Sequence, residues 1–138
     1  MQKLTDAQIA FLRDNAYYGV VSTLRPDGSP HATVVWVDVD DAGLPGFNTA
    51  HGRAKTRHLA RDPRVTLTVV NPANGYQWLS LTGTAHLDDE GADAQIDTLA
   101  QKYLGEETYP FRQPGEARVR VPITPERVEA HGIDEGPA

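Results

Sequence analysis

Tyr18 to Asp38 reads YGVVSTLRPDGSPHATVVWVD, two runs rich in β-branched and aromatic residues on either side of Arg25-Pro26-Asp27-Gly28-Ser29. Pro presets φ, Asp can bond its own backbone and Gly accepts a positive φ, so Pro-Asp-Gly between two such runs has the chemistry of a hairpin turn. The segment predicts an antiparallel pair, Tyr18 to Leu24 with Pro30 to Asp38, and through it a β-dominated fold.

Working outward, Thr5-Asp6 reads as the cap of a short helix ending near Asn15, with Ile9, Phe11 and Leu12 as its apolar stripe. Downstream, a turn at Asp40 to Gly43 leads to a short strand, Pro45 to Thr49, and then to a helix from about Arg53 to Arg61. Arg64 to Asn71 alternates apolar and polar residues, NPANG turns the chain, and Tyr76 to Leu87 is a long strand with a bulge expected at Gly83. Asp88, Asp89 and Glu90 read as caps of a helix running to about Leu104, which makes capping a simpler reading of these acids than a cation site. A Gly, Pro and Glu-rich loop precedes the last strand, Ala117 to Ile123 with Arg127 to Ala130. Six strands with short helices between antiparallel hairpins fit a small barrel, because closure removes exposed sheet edges. The expected core is Val20, Val21, Val34, Val35, Val65, Leu67, Val69, Leu79 and Leu81. Alternation puts Trp36 on the face of Val34 without saying which face is interior.

The 138 residues suit one domain, expected over 1–132, with a flexible tail at 133–138. The absence of cysteine excludes disulfides, thiolate nucleophiles and Cys-ligated zinc. No apolar run reaches the ~20 residues of a membrane span, and MQKLTDAQIAF lacks the plan of a secretory signal, so a cytoplasmic protein with no membrane partner is expected. Positive charge is concentrated. His51 to Arg64, HGRAKTRHLARDPR, holds Arg53, Lys55, Arg57, Arg61 and Arg64 against one acid, Asp62: a local balance of +4 in a chain of −6. Confinement to one segment argues against a nucleic-acid binder. Gly52 at the start of this segment and the helix after it make a natural phosphate site, where free N–H groups and the helix dipole favour an anion.

The order of helix, YGVVSTLRPDGSPHATVVWVD, FNTAHGRAKTRHLARDPRVTLTV and QWLSLTGTAHL resembles the pyridoxamine 5′-phosphate oxidase-like split β-barrels, and within them the actinobacterial branch that uses the deazaflavin coenzyme F420. RAKTRHLARDPRV is the most specific piece, and the likeness runs from about Leu4 to Val128. It implies a mainly β, six-stranded antiparallel split barrel of the FMN-binding kind. It also implies a homodimer in which two equivalent clefts at the subunit interface each hold one cofactor. By that resemblance Arg53, Lys55 and Thr56 hold the phosphate with Arg57 nearby, and Thr33, Val35, Trp36, Asn48, Thr49, Ala50 and His51 run along the ring system. Gln77 and Trp78 would close the cleft from the other subunit. Arg grips phosphate oxygens in pairs and Lys adds a compact charge, so the chemistry suits the positions. Arg61 or Arg64 can serve an anionic tail.

The implied reaction is hydride transfer from reduced F420 to an unsaturated small molecule, the protein supplying orientation and electrostatics. His51, His31 and Tyr76 are the candidate proton donors, with His51 the first choice. His51 and His58 lack a carboxylate at a matching step, so no metal is expected. No G-x-S-x-G elbow, G-x-G-x-x-G loop or Walker loop occurs. A second phosphate site is missing too, which disfavours vitamin B6 oxidation. The alternatives left open are FMN as cofactor in an oxidoreductase of the same fold, and a non-catalytic binder of flavin, deazaflavin or a tetrapyrrole.

Overall fold

The computed structural model describes residues 1–133. The expected mobile tail falls, from residue 134 on, outside the described residues, while Ile133 packs against the core. The chain order is α1 (Asp6–Arg13), β1 (Tyr18–Leu24), β2 (Pro30–Trp36), β3 (Asp38–Val39), β4 (Pro45–Ala50), α2 (Ala54–Arg61), β5 (Arg64–Asn71), β6 (Asn74–Ala85), α3 (Ala92–Leu104) and β7 (Arg118–His131). The strands form one antiparallel sheet in the order β2-β1-β5-β6-β7-β4-β3.

The strand count is seven rather than six because PHATVVWVD breaks at Val37. That residue joins β2 and β3, the two edge strands, so the sheet must curl until its ends lie one residue apart. This is the split-barrel geometry expected, reached through a corner. The corner leaves backbone groups outside any ladder, and α3 satisfies them. Tyr103 Oη accepts from Val37 N (2.9 Å) and donates to Tyr17 O (2.6 Å), while Lys102 Nζ donates to Val37 O (3.0 Å) and Leu12 O (2.6 Å). Buried main-chain groups are costly to leave unpaired, so two side chains of one helix pin the corner. Burial holds the Lys102 ammonium down to about 8, even with Asp38 and Asp14 favouring its charge.

Thr5 caps α1 as expected. Its hydroxyl accepts from Gln8 N (3.1 Å) and Gln8 Oε1 accepts from Thr5 N (3.0 Å), a reciprocal capping box. The Pro-Asp-Gly turn closes the β1–β2 hairpin with Gly28 at φ +85°. The register shifts between Thr82 and Gly83, at the expected bulge. A Cβ on Gly83 would collide with the Thr124 carbonyl of β7, which is why the crossing there needs glycine.

The core is one cluster built on Val21, Val37, Phe47, Val65, Leu67, Val69, Leu79, Leu81, Val121 and Ile123, with Leu12 and Leu59 from the helices. Two expected members are corrected. Val20 and Val34 are 45% and 65% exposed, paired with each other across β1 and β2. Adjacent strand residues point to opposite faces, so Val21 and Val35 being inside forces Val20 and Val34 out. Trp36 therefore shares the outer face. The α3 cap is also corrected: Gly91, in the left-handed region at φ +75°, occupies it without a side-chain bond. Asp88 instead pairs with Arg120 (2.6 Å) and Asp89 with His51 (2.5 Å).

Candidate functional site

On that outer face the chain opens a cavity of about 260 Å³. Its floor is β2 and β4, its roof α3 (Ile96, Leu99), and one side the start of α2. The entry to α2 follows from local backbone chemistry. After Ala50, Gly52 takes φ +92°, a turn that favours glycine, and Arg53 then stands at the N-cap with extended φ and ψ. Arg53 makes no side-chain cap bond and the first turn contains no acid. The leading N–H groups thus have no side chain to receive them, and the positive end of the helix dipole faces the cavity.

Arg53 and Lys55 line the cavity, and neither side chain has a hydrogen bond or ion pair among the described residues. Across from them Arg118, the first residue of β7, is buried with 4% of its side chain exposed. Its Nε donates to Asn48 Oδ1 (2.8 Å), a terminal nitrogen pairs with Glu116, and the guanidinium lies over the Tyr109 ring at 5.2 Å. Asn48 is itself fixed by donating to Ala92 O and Gln95 Oε1, both at 2.9 Å. Burial, then the positive charges of Arg53 and Arg118, hold the Lys55 ammonium below the ordinary lysine range. Three cations against one acid make a site that an entering anion would relieve.

The remaining wall is aromatic. Trp36 stacks on Tyr103 (centroids 5.3 Å, planes 6° apart) and meets Tyr109 edge-on at 5.9 Å, and Tyr109 meets Phe111 at 5.7 Å. A flat apolar body suits these faces.

Of the residues expected at a cofactor, Val35, Trp36, Asn48, Arg53 and Lys55 meet at this cavity. Thr33 keeps its hydroxyl buried without a partner on β2. Thr49 and Ala50 are buried in β4, where they pair with Val119 and Arg118 of β7. The Thr56 hydroxyl donates to Ala50 O (2.7 Å), tying α2 to the strand before it. Arg57 donates to Gly52 O from an exposed position, and His51 pairs with Asp89 and is not among the lining residues. Gln77 bonds Asn71 (2.8 Å) and Gly132 O (3.3 Å), and Trp78 stacks on His131, both apart from this protomer's cavity. Tyr76 is 78% exposed, and the buried His31 Nδ1 has no hydrogen-bond partner among the described residues.

Sequence reasoning missed Arg118, Tyr109, Phe111, Tyr18, Ile96 and Leu99. The one available signal was Arg118 and Arg120 alternating with valines in ARVRVPI, since the face they occupy is covered by α3. Tyr109 and Phe111 lie in an irregular connection with no periodicity to place them.

A family model described as pyridoxamine 5′-phosphate oxidase matches residues 4–132. The chain is 30% identical over 130 residues to an F420H(2)-dependent biliverdin reductase of Mycobacterium tuberculosis (strain CDC 1551 / Oshkosh), covering 91% of this chain and 87% of that protein. Among solved structures, one described as an F420 reductase superposes with a TM-score of 0.74 at 24% identity, over 87% of this chain and 94% of that one. A conserved hypothetical protein from Mycobacterium tuberculosis gives 0.73 at 24% identity, over 95% and 89%. These two likenesses are of fold.

Proposed function

The chain belongs to the pyridoxamine 5′-phosphate oxidase family, and from that premise we propose that it is an F420-dependent reductase delivering hydride to an unsaturated small molecule. The observation that carries the reading is the pair of cations, Arg53 and Lys55, without a hydrogen bond or ion pair among the described residues, at a helix start with no side-chain cap and beside an aromatic wall. A phosphate-bearing tricycle needs an anion cradle and a flat apolar surface in one cavity, and the lining residues supply both. When bound, the deazaflavin supplies the hydride; the protein supplies position.

Arg53, Lys55 and the first N–H groups of α2 hold the phosphate, where desolvation strengthens each contact. Trp36, braced by Tyr103, and the β2 and β4 backbones orient the ring against a fixed surface. None of His51, His31 and Tyr76 lines this protomer's cavity, which favours solvent over them as the proton source in this reading.

The outer face of β1, β2 and β5 exposes Tyr18, Val20, Val34 and Val70, a contiguous apolar strip next to the cavity. It supports a homodimer in which Gln77 and Trp78 of the partner subunit complete the cleft. A linear tetrapyrrole is the first acceptor to try, from the name of the 30% identical relative. The test is a titration of purified protein with oxidised F420 and, separately, FMN. Quenching of F420 fluorescence with a micromolar dissociation constant is expected, with FMN ignored. No F420 binding rejects the reading, yellow protein saturable with FMN replaces it with the flavin enzyme, and tight binding without turnover of any acceptor leaves a sequestering protein.

A further inference from the structure

Arg118 differs from the other two cations of the cavity. Arg53 and Lys55 bring a net charge to the start of α2 and form no hydrogen bond or ion pair among the described residues. Arg118 has its charge matched by Glu116, its Nε held by Asn48 and its face against Tyr109, so its orientation is fixed on three sides. Glu116 is held in turn, since its carboxylate also accepts from Gln113 N (2.9 Å). A matched charge exerts little pull on a distant anion. What Arg118 offers is direction: a guanidinium has five N–H donors, and the bonds to Asn48 and Glu116 leave others free at the edge of the cavity.

These donors stand beside Tyr109 and Phe111, on the side of the cavity formed by the α3–β7 connection. The two rings stand 79° apart and the guanidinium covers one face of Tyr109, so a flat conjugated body packed against one of them brings a carboxylate on its rim to the guanidinium, in the paired geometry that Arg and carboxylate share. We infer that Arg118 is a specificity-determining residue that reads a carboxylate of the electron acceptor, so that this cleft selects flat conjugated carboxylic acids over their neutral analogues. The assignment divides the anion sites by task, with the α2 start for the phosphate and Arg118 for the acceptor. It rests on the reductase reading for the meaning of "acceptor", while the binding it describes stands without any cofactor.

The experiment is calorimetric binding of biliverdin, which carries propionate carboxylates, and of its dimethyl ester to the full chain without cofactor. The acid binds about ten-fold or more tightly than the ester, the scale of one hydrogen bond to a charged group. Arg118→Lys, which keeps the charge and loses the fork, narrows the ratio. The double variant Arg118→Gln/Glu116→Gln, which leaves no buried charge unpaired, abolishes it, with ester affinity within about two-fold of the original. Equal binding of acid and ester, binding of neither, or a loss of F420 affinity in the double variant matching the loss for the acid overturns the assignment; the last result would move Arg118 to the phosphate. Failure of the original protein to bind F420 sinks the reductase reading alone, because the acid-to-ester ratio is read without the cofactor.

Discussion

The two ends of α2 carry the same kinds of side chain and do opposite things with them. At the C-terminal end the basic side chains are answered among the described residues. Arg61 donates to Leu24 O (2.6 Å), Arg64 forks onto Asp62 (2.7 to 3.2 Å), and the buried His58 ring bonds the Thr23 hydroxyl at 2.8 Å. At the N-terminal end Arg53 and Lys55 face a cavity and form no ion pair or side-chain hydrogen bond among the described residues. Satisfied cations hold a helix to its sheet, whereas unsatisfied ones are a cost to the isolated protein that a ligand can repay. The contrast teaches that charge density does not mark a binding site; unpaired charge beside a cavity does.

The largest way to break the contrast is to loosen the helix itself. Leu59 is buried in the core cluster beneath α2, so Leu59→Ala should cost about 2–5 kcal/mol of unfolding free energy. Denaturant unfolding measures it, and an unchanged midpoint would mean that α2 is held by its polar contacts alone. Next in size, Lys55→Ala should weaken phosphate-bearing cofactor binding by about 1.5–3 kcal/mol while the melting temperature holds or rises, since repulsion from Arg53 and Arg118 is relieved. An unaltered dissociation constant in the F420 titration would remove the phosphate from this end.

A smaller effect sharpens the same point. Because burial and neighbouring cations lower the Lys55 pKa, the free protein loses that proton at a pH below the ordinary lysine value. Cofactor affinity should therefore fall, as pH rises, at a pH below the ordinary lysine value of 10.5, and Lys55→Arg should flatten the profile, since Arg stays charged throughout. The smallest effect is expected at the answered end. Arg64→Ala should leave cofactor affinity unchanged. The Arg64 hydrogen bonds hold the Asp62 carboxyl down to about 2, so its contribution to stability is present above the ordinary 3.8 and is lost as pH falls toward 2. The variant should start acid unfolding at higher pH than the original, followed by circular dichroism; identical acid curves would show that the pair contributes nothing.

How far the sequence reaches follows from the range of each signal. The limits of β1 and β5, the Thr5 cap, the β1–β2 turn and the Gly83 bulge were legible, because each depends on residues within a few positions. So was the basic segment with Arg53 and Lys55. The corner at Val37 was not, since its groups are satisfied by Lys102 and Tyr103, more than sixty positions away. Nor was the exposure of Val20 and Val34, because alternation gives two faces and does not say which one the rest of the chain covers.

The amino-acid order by itself determined the β-rich class, the hairpin and the cluster of positive charge, all governed by local backbone preference and by side-chain spacing. Only the tertiary structure decided which of those charges stay unpaired and which distant residues join them. Arg118 reaches Asn48 across seventy positions, and the rings of Tyr109 and Phe111 complete the cavity from an aperiodic connection. Such contacts depend on how the sheet curls and where α3 lies across it, a property of the whole chain that no short window of residues encodes.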